Sequence, residues 1–118
     1  MIKTRYENDI LVIETEEQRL DMVVARKFKD KLSEAIQDKP KKIILNLAKT
    51  NYFDSSALGA LVSFLKDVKT YNGHLVLCNL SRSLMALLKL SKLDILFEIK
   101  DSEQEAIQHY NDLHPKKK

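Results

Sequence analysis

Residues 51–61 read NYFDSSALGAL and lie between a run typical of a buried strand and a run typical of an amphipathic helix. Asp54, Ser55 and Ser56 stand where that helix must begin. Their short side chains carry oxygens that can accept hydrogen bonds from the first backbone N–H groups, which have no partner inside a helix. Two roles for the serines follow from this position. They cap the helix, or they present a hydroxyl that can carry a phosphate at the positive end of the helix.

The composition is that of a single globular domain. The chain has 118 residues, of which 44% are hydrophobic and 31% are charged, and this length is usual for one domain with one core. We therefore expect one domain over residues 1–118, with a core at about 3–112 and a flexible basic tail at 113–118. The net charge of +3 comes largely from the three terminal lysines and is too small to indicate direct nucleic-acid binding.

The cysteine and histidine content limits the chemistry. With one cysteine, Cys78, an internal disulfide is excluded, and its apolar neighbours predict a small buried side chain. Neither Cys78 nor the three histidines show metal-ligand spacing. No apolar run approaches the roughly 18 residues of a membrane helix, and the first residues lack the apolar segment of a signal peptide. We expect a cytoplasmic protein with no cofactor, no metal and no membrane insertion.

Strand and helix patterns alternate along the first half of the chain. Strands at Lys3–Tyr6 and Ile10–Thr15 flank turn residues and predict an opening hairpin. Apolar residues at helical spacing then predict a helix that is capped by Asp21 and extends to about Gln37. The apolar run in Lys42–Leu47 predicts a central strand covered on both faces.

The second half continues the alternation. The helix that begins at the serines should extend to about Tyr71, and His74–Asn79 should be a further buried strand. A short helix capped by Ser81, a short strand within Leu93–Ile99 and a last helix capped by Ser102 follow. The order ββαβαβαβα predicts an α/β domain. We expect a mixed, mostly parallel sheet of four to five strands with an N-terminal hairpin, and about four α-helices packed largely on one face.

Three segments resemble the STAS domain family and, within it, the bacterial anti-sigma factor antagonists. Residues 54–59, DSSALG, are similar to the family's D-S-S/T-G-L-G signature, and Leu20-Asp21 is similar to its L-D pair before a helix. Residues 72–80, with LSKL at 90–93 and LFEI at 96–99, resemble its strand, short helix and closing segment. The agreement in element order and length supports a single STAS domain.

The resemblance runs from about Ile10 to Ile107 and has two departures. Ala57 occupies the place of the signature's first glycine, and Gln18-Arg19 stands where a glycine usually precedes the L-D pair. Because alanine is the better helix former, the architecture should be unaffected. Its methyl group nevertheless lies where a partner would approach closely, so the departure bears on partner identity.

The resemblance implies a regulatory protein and not an enzyme. In such antagonists the unphosphorylated form binds an anti-sigma factor serine kinase of the GHKL type and frees a sigma factor. The kinase phosphorylates a serine of the motif, and a PP2C-type phosphatase restores it. Carried over to this sequence, the acceptor is Ser56, with Ser55 as the second choice, and Asp54 and Asp21 are supporting acids.

The partner-binding surface is expected where three segments follow strands at one edge of the sheet. Met22 and Val23 are apolar residues off the core stripe of the first helix, so a partner could cover them. The predicted contact residues are Leu20, Met22, Val23, Ser55, Ser56, Ala57, Leu58, Ser81, Arg82 and Ser83.

Other α/β classes fit less well, and one alternative stays open. A receiver domain needs an acidic pair after its first parallel strand, and this chain lacks one. With Gly59 and Gly73 as its two glycines, the chain has neither a G-x-S-x-G elbow nor a phosphate-binding glycine loop. The open alternative is a STAS docking or scaffold subunit of a membrane transporter, such as a lipid-transport ABC complex, or of a signalling assembly without a phosphoswitch. The oligomeric state stays open.

Overall fold

The computed structural model describes residues 1–113. Within this range strands and helices alternate, as the sequence predicts. In chain order they are β1 (Ile2–Glu7), β2 (Ile10–Thr15), β3 (Arg19–Leu20), α1 (Ala25–Ala35), β4 (Lys42–Asn46), β5 (Tyr52–Phe53), α2 (Ser55–Thr70), β6 (His74–Cys78), α3 (Arg82–Leu90), β7 (Glu98–Lys100) and α4 (Glu103–Leu113).

The main sheet has five strands in the order β1-β2-β4-β6-β7. The β1–β2 hairpin is antiparallel and turns at Asn8, whose φ of 57° suits a tight turn. The other three strand pairs of the main sheet are parallel, with Val12 beside Ile44 and Ile44 beside Val76. The predicted mixed, mostly parallel sheet with an N-terminal hairpin is therefore confirmed.

Helices cover both faces of this sheet. Helices α1, α2 and α3 lie on one face, where Phe28, Phe64 and Leu88 pack against the inward residues of the central strands. Helix α4 covers the other face through Ala106 and Tyr110. Since successive strand residues point to opposite faces, double coverage explains the continuous apolar runs of β2, β4 and β6. Packing largely on one face is confirmed for three of the four helices, and α4 is the exception.

A second, two-stranded sheet was missed by the sequence analysis. Strands β3 and β5 are parallel, with Arg19 beside Tyr52 and Leu20 beside Phe53. Two residues are too few to show a strand period, so no pattern predicted them. This short pairing brings the segment before α1 alongside the start of α2.

Some predicted boundaries were wrong. Helix α1 begins at Ala25 and not after Asp21, because Asp21 accepts a hydrogen bond from the amide of Val23 at 3.0 Å and so holds a turn. The last strand begins at Glu98, since residues 93–95 form a 3₁₀ turn. The predicted basic tail at 113–118 lies outside the described residues, apart from Leu113, which ends α4.

Candidate functional site

Asp54 caps the N-terminus of α2, as predicted. Its backbone is extended (φ −95°, ψ −175°), and its Oδ1 accepts a hydrogen bond from the amide of Ala57 at 3.0 Å. Ser55 and Ser56 form the first turn of the helix, and both side chains are exposed. Neither hydroxyl makes a hydrogen bond to any other of residues 1–113. The capping role therefore belongs to Asp54, and both serines are exposed to solvent.

The same carboxylate also reaches a second segment of the chain. The Oδ2 of Asp54 accepts a hydrogen bond from the amide of Met22 at 2.8 Å. The backbone amide of Asp54 donates to the carbonyl of Leu20 at 3.1 Å, and that of Asn51 donates to Gln18 at 2.9 Å. These bonds fix the turn before α1 next to the start of α2. Sequence reasoning missed the Asp54–Met22 contact because the two residues are far apart in the chain.

Met22 and Val23 lie exposed on this turn. Their side chains are 69% and 81% accessible, and the two are adjacent in the chain. Leu58, on α2, is half-buried, whereas Leu20 and Ala57 are fully buried in the core. Of these predicted contact residues, the structure places Met22, Val23 and part of Leu58 at the surface and the side chains of Leu20 and Ala57 in the core.

The start of α3 joins the same surface. Ser81 caps this helix by accepting a hydrogen bond from the amide of Leu84 at 3.1 Å. The hydroxyl of Ser83 donates to the carbonyl of Asn51 at 2.9 Å, three residues before Asp54. Arg82 is exposed between them. The structure thus brings together the three segments that the sequence singled out.

A shallow groove separates the starts of α2 and α3. Its volume is about 440 Å³, and Tyr52 and Leu87, which the sequence analysis did not select, lie on its walls. Tyr52 is partly exposed, and the guanidinium of Arg19 lies 4.1 Å from its ring centre. An aromatic residue directly before a capping aspartate was the signal that could have identified Tyr52. The residues lining the groove are Asn51, Tyr52, Phe53, Asp54, Ser55, Leu58, Ser83, Leu84 and Leu87.

The sequence model of the STAS domain family matches residues 1–106, almost the whole chain. The chain belongs to the STAS domain family. Solved structures similar to it include a candidate anti-sigma factor antagonist from Thermotoga maritima, with a TM-score of 0.82, 24% identity and 92% coverage of each chain.

Two further relatives have the same fold as this STAS domain. The anti-sigma factor antagonist SpoIIAA is similar in its unphosphorylated form (TM-score 0.70, 21% identity, coverage 94% and 98%). SpoIIAA from Bacillus in its phosphorylated form is similar as well (TM-score 0.68, 22% identity, coverage 93% and 99%). A sulfate transporter family protein from Wolinella succinogenes has a TM-score of 0.73 at 22% identity, with coverage of 89% and 86%. At these identities the likeness concerns the fold.

The groove of this STAS domain combines an apolar lining with a few polar groups. Five of its nine residues are apolar or aromatic, and the polar side chains of the other four are two hydroxyls, one carboxylate and one amide, without a histidine, lysine or arginine. Residues 1–113 contain no group of three or more side chains placed to hold a metal ion. Cys78 is buried, and this burial, with a smaller contribution from the charge of Glu103, raises the pKa of its thiol to about 12. The thiol is therefore a poor nucleophile in the folded domain.

Among the helices that the structure describes, none is both long and apolar enough to cross a bilayer.

Proposed function

We propose that this STAS domain is an anti-sigma factor antagonist. In its unphosphorylated form it binds an anti-sigma factor serine kinase of the GHKL type and so frees a sigma factor. Phosphorylation of Ser56 releases the complex, and a PP2C-type phosphatase reverses the modification. The domain is the substrate of these enzymes and has no catalytic role of its own. A function in sigma-factor release requires a cytoplasmic location.

The observation that carries this proposal is the state of the two serines at the start of α2. Their hydroxyls are exposed and make no hydrogen bond to residues 1–113, while Asp54 supplies the helix cap. A serine needed as the cap would lose that bond on modification. Here, the γ-phosphoryl group of ATP can pass to the serine Oγ, with release of ADP and the hydroxyl proton, and the serine hydroxyl has no hydrogen bond of its own within residues 1–113 to lose.

The phosphate should affect the fold and the interface differently. It adds about −1.5 to −2 charges at neutral pH. At a helix N-terminus the helix dipole and the amides without intrahelical partners favour negative charge, so the domain should stay folded. An interface formed against a neutral hydroxyl would instead have to bury an unpaired dianion, which costs several kcal/mol or so. Each ~1.4 kcal/mol corresponds to a tenfold change in affinity, and the complex should therefore dissociate.

The partner would cover the surface formed by the starts of α1, α2 and α3. Met22 and Val23 give this surface an exposed apolar patch, and such patches mark interaction sites. Ser56 and Leu58 lie on α2 beside it, and Arg82 adds a positive charge from α3. Asp54 holds Met22 next to the acceptor helix, and Asp21 holds the amide of Val23. Both acids support the site by positioning these neighbours.

Mass spectrometry of the phosphorylated chain tests this function. GHKL-type kinases from the same genome are incubated with the domain and ATP, and the tryptic peptide Thr50–Lys66 is sequenced. We expect one phosphate on this peptide, located at Ser56 and absent from Ser56→Ala. Ser63→Ala, on the same helix, is the matched control and should be modified normally. Phosphate elsewhere, or none with any kinase, would contradict the proposal, and phosphate at Ser55 would move the acceptor by one residue.

The likeness to the transporter family protein supports a second candidate function. A docking or scaffold module of a membrane transporter or signalling assembly needs an exposed surface but no modification. In that case Ser56→Asp and the wild type should bind the partner equally, whereas the antagonist function requires that Ser56→Asp weakens kinase binding.

A further inference from the structure

Two separate parts of the site are joined through one carboxylate. The Oδ1 of Asp54 accepts the amide of Ala57 in α2, and its Oδ2 accepts the amide of Met22 in the turn before α1. We propose that Asp54 is a positioning residue that holds the Met22–Val23 turn in the shape the partner covers, and that phosphorylation of the adjacent serine releases this turn. This inference rests on the proposed function.

The turn has few other attachments. Because Met22 and Val23 are largely exposed, packing contributes little to their position. Asp21 holds the amide of Val23 within the turn itself, and its carbonyl accepts from Val24 and Ala25. None of these bonds connects the turn to α2, and the nearest other link is the bond from the amide of Asp54 to the carbonyl of Leu20, just before the turn. Segments with little apolar contact open at low free energy, so the Asp54–Met22 bond should determine how the turn sits against the acceptor helix.

A phosphate on Ser55 or Ser56 would act on this bond directly. These residues follow Asp54 by one and two positions, and the phosphate brings about −1.5 to −2 charges beside its carboxylate. Like charges repel, and the phosphate oxygens compete for the Ala57 amide that Asp54 now caps. Phosphorylation would thus change the apolar patch as well as the serine. The release of the partner would then have two causes at the same surface.

Amide hydrogen exchange, followed by NMR, measures this coupling in the isolated domain. Asp54→Ser keeps one acceptor for the cap on α2 but is too short to hold Met22 as well. We expect exchange at the Met22 amide to be about tenfold faster or more in Asp54→Ser than in the wild type, with a smaller change at Val23. The Asp21→Ala variant, which removes the acceptor of the Val23 amide, should show the reverse order.

A cap on the opposite face provides the matched control. Ser102 caps α4 by accepting from the amide of Glu105 at 3.1 Å, and Ser102→Ala removes a bond of the same kind. Exchange at Met22 should not change in this variant. Unchanged Met22 exchange in Asp54→Ser, or an equal increase in Ser102→Ala, would overturn the positioning role. Ser56→Asp should accelerate exchange at Met22, and protection as in the wild type would overturn the release.

Binding to the kinase separates this inference from the proposed function. Isothermal titration calorimetry measures the affinity of the unphosphorylated domain for the kinase. The Asp54→Ser variant should bind the kinase about tenfold more weakly than the wild type, and Ser102→Ala should bind it as tightly as the wild type. If the kinase binds Asp54→Ser and the wild type equally although Met22 exchange differs, the inference fails and the proposed function stands. If no kinase binds the wild type, the proposed function fails, and the proposal of a partner-docking turn fails with it.

Discussion

The guanidinium of Arg19 lies over the ring of Tyr52, 4.1 Å from its centre, and links the two strands of the small sheet on the outside of the site. These residues are direct neighbours in the β3–β5 register. Arg19 belongs to the pair that replaces the glycine usually found before the L-D motif. Arg19, one of the two residues that stand in place of the family glycine, therefore makes a contact at the edge of the groove between the starts of α2 and α3.

A double-mutant cycle measures this contact. An exposed cation–π pair contributes about 0.5–1 kcal/mol. We expect Arg19→Ala and Tyr52→Ala to lower the free energy of unfolding, with a coupling energy of about that size between them, as measured by urea denaturation. A coupling near zero would show that the two side chains do not interact in solution.

The two glycines should respond to alanine in opposite directions. Gly59 lies within α2, and an added Cβ would meet nothing within 4 Å, so Gly59→Ala should stabilise the domain by about 0.5–1 kcal/mol. At Gly73 an added Cβ would come within 2.8 Å of Val68 Cγ1, on a side chain that is fully buried. Gly73→Ala should therefore destabilise the domain by about 1–3 kcal/mol. Thermal or urea denaturation checks both, and a stabilising Gly73→Ala would contradict the packing at the end of α2.

Glu103 should make the stability of the domain depend on pH in the acid range. Its Oε1 accepts from Arg5 Nη2 at 2.6 Å, and its Oε2 accepts from Asn46 Nδ2 at 2.9 Å. The hydrogen bond from Arg5 is the main cause that holds the pKa of Glu103 below its ordinary value of 4.5; Asn46 adds to it, and burial partly opposes it. A carboxyl with a lowered folded-state pKa stabilises the fold above the ordinary value, and this stabilisation is lost as the pH falls through the folded-state pKa.

The Glu103→Gln variant tests that dependence. Since the pair is partly solvent-screened, the substitution should lower the free energy of unfolding by about 1 kcal/mol at about pH 7. The difference from the wild type should shrink as the pH falls below 4.5 towards about pH 3. A difference that stays constant over this range would show that the charge of Glu103 does not contribute. Glu105→Gln, at an exposed position on the same helix, is the control.

The parts of the fold that depend on local patterns could be predicted from the sequence. The β1–β2 hairpin, the alternation of strands and helices and the cap at Asp54 follow from residues close together in the chain. The exposure of Met22 and Val23 was predicted from places off the apolar stripe of the first helix, but the two residues lie on the turn before α1. The prediction that Ser56 is the acceptor rests on the family resemblance, because helix physics alone does not distinguish it from Ser55.

The parts that were missed depend on contacts between distant residues. The β3–β5 pairing has two residues per strand and therefore no period to detect. The start of α1 was wrong because the carboxylate of Asp21 can satisfy a turn as readily as a helix. The second hydrogen bond of Asp54, to Met22, joins residues that only the folded β3–β5 sheet brings together.

The affinity of the partner kinase for the two forms of the domain tests the central claim most directly. The domain is prepared in two forms, one unphosphorylated and one fully phosphorylated at Ser56. Each form is titrated into the kinase by calorimetry, and circular dichroism checks that both forms are folded. We predict that phosphorylation weakens binding by about a hundredfold or more, because burying an unpaired dianion costs several kcal/mol or so. Equal affinity of the two folded forms for the kinase would contradict the claim that a phosphate at this helix start controls the interface.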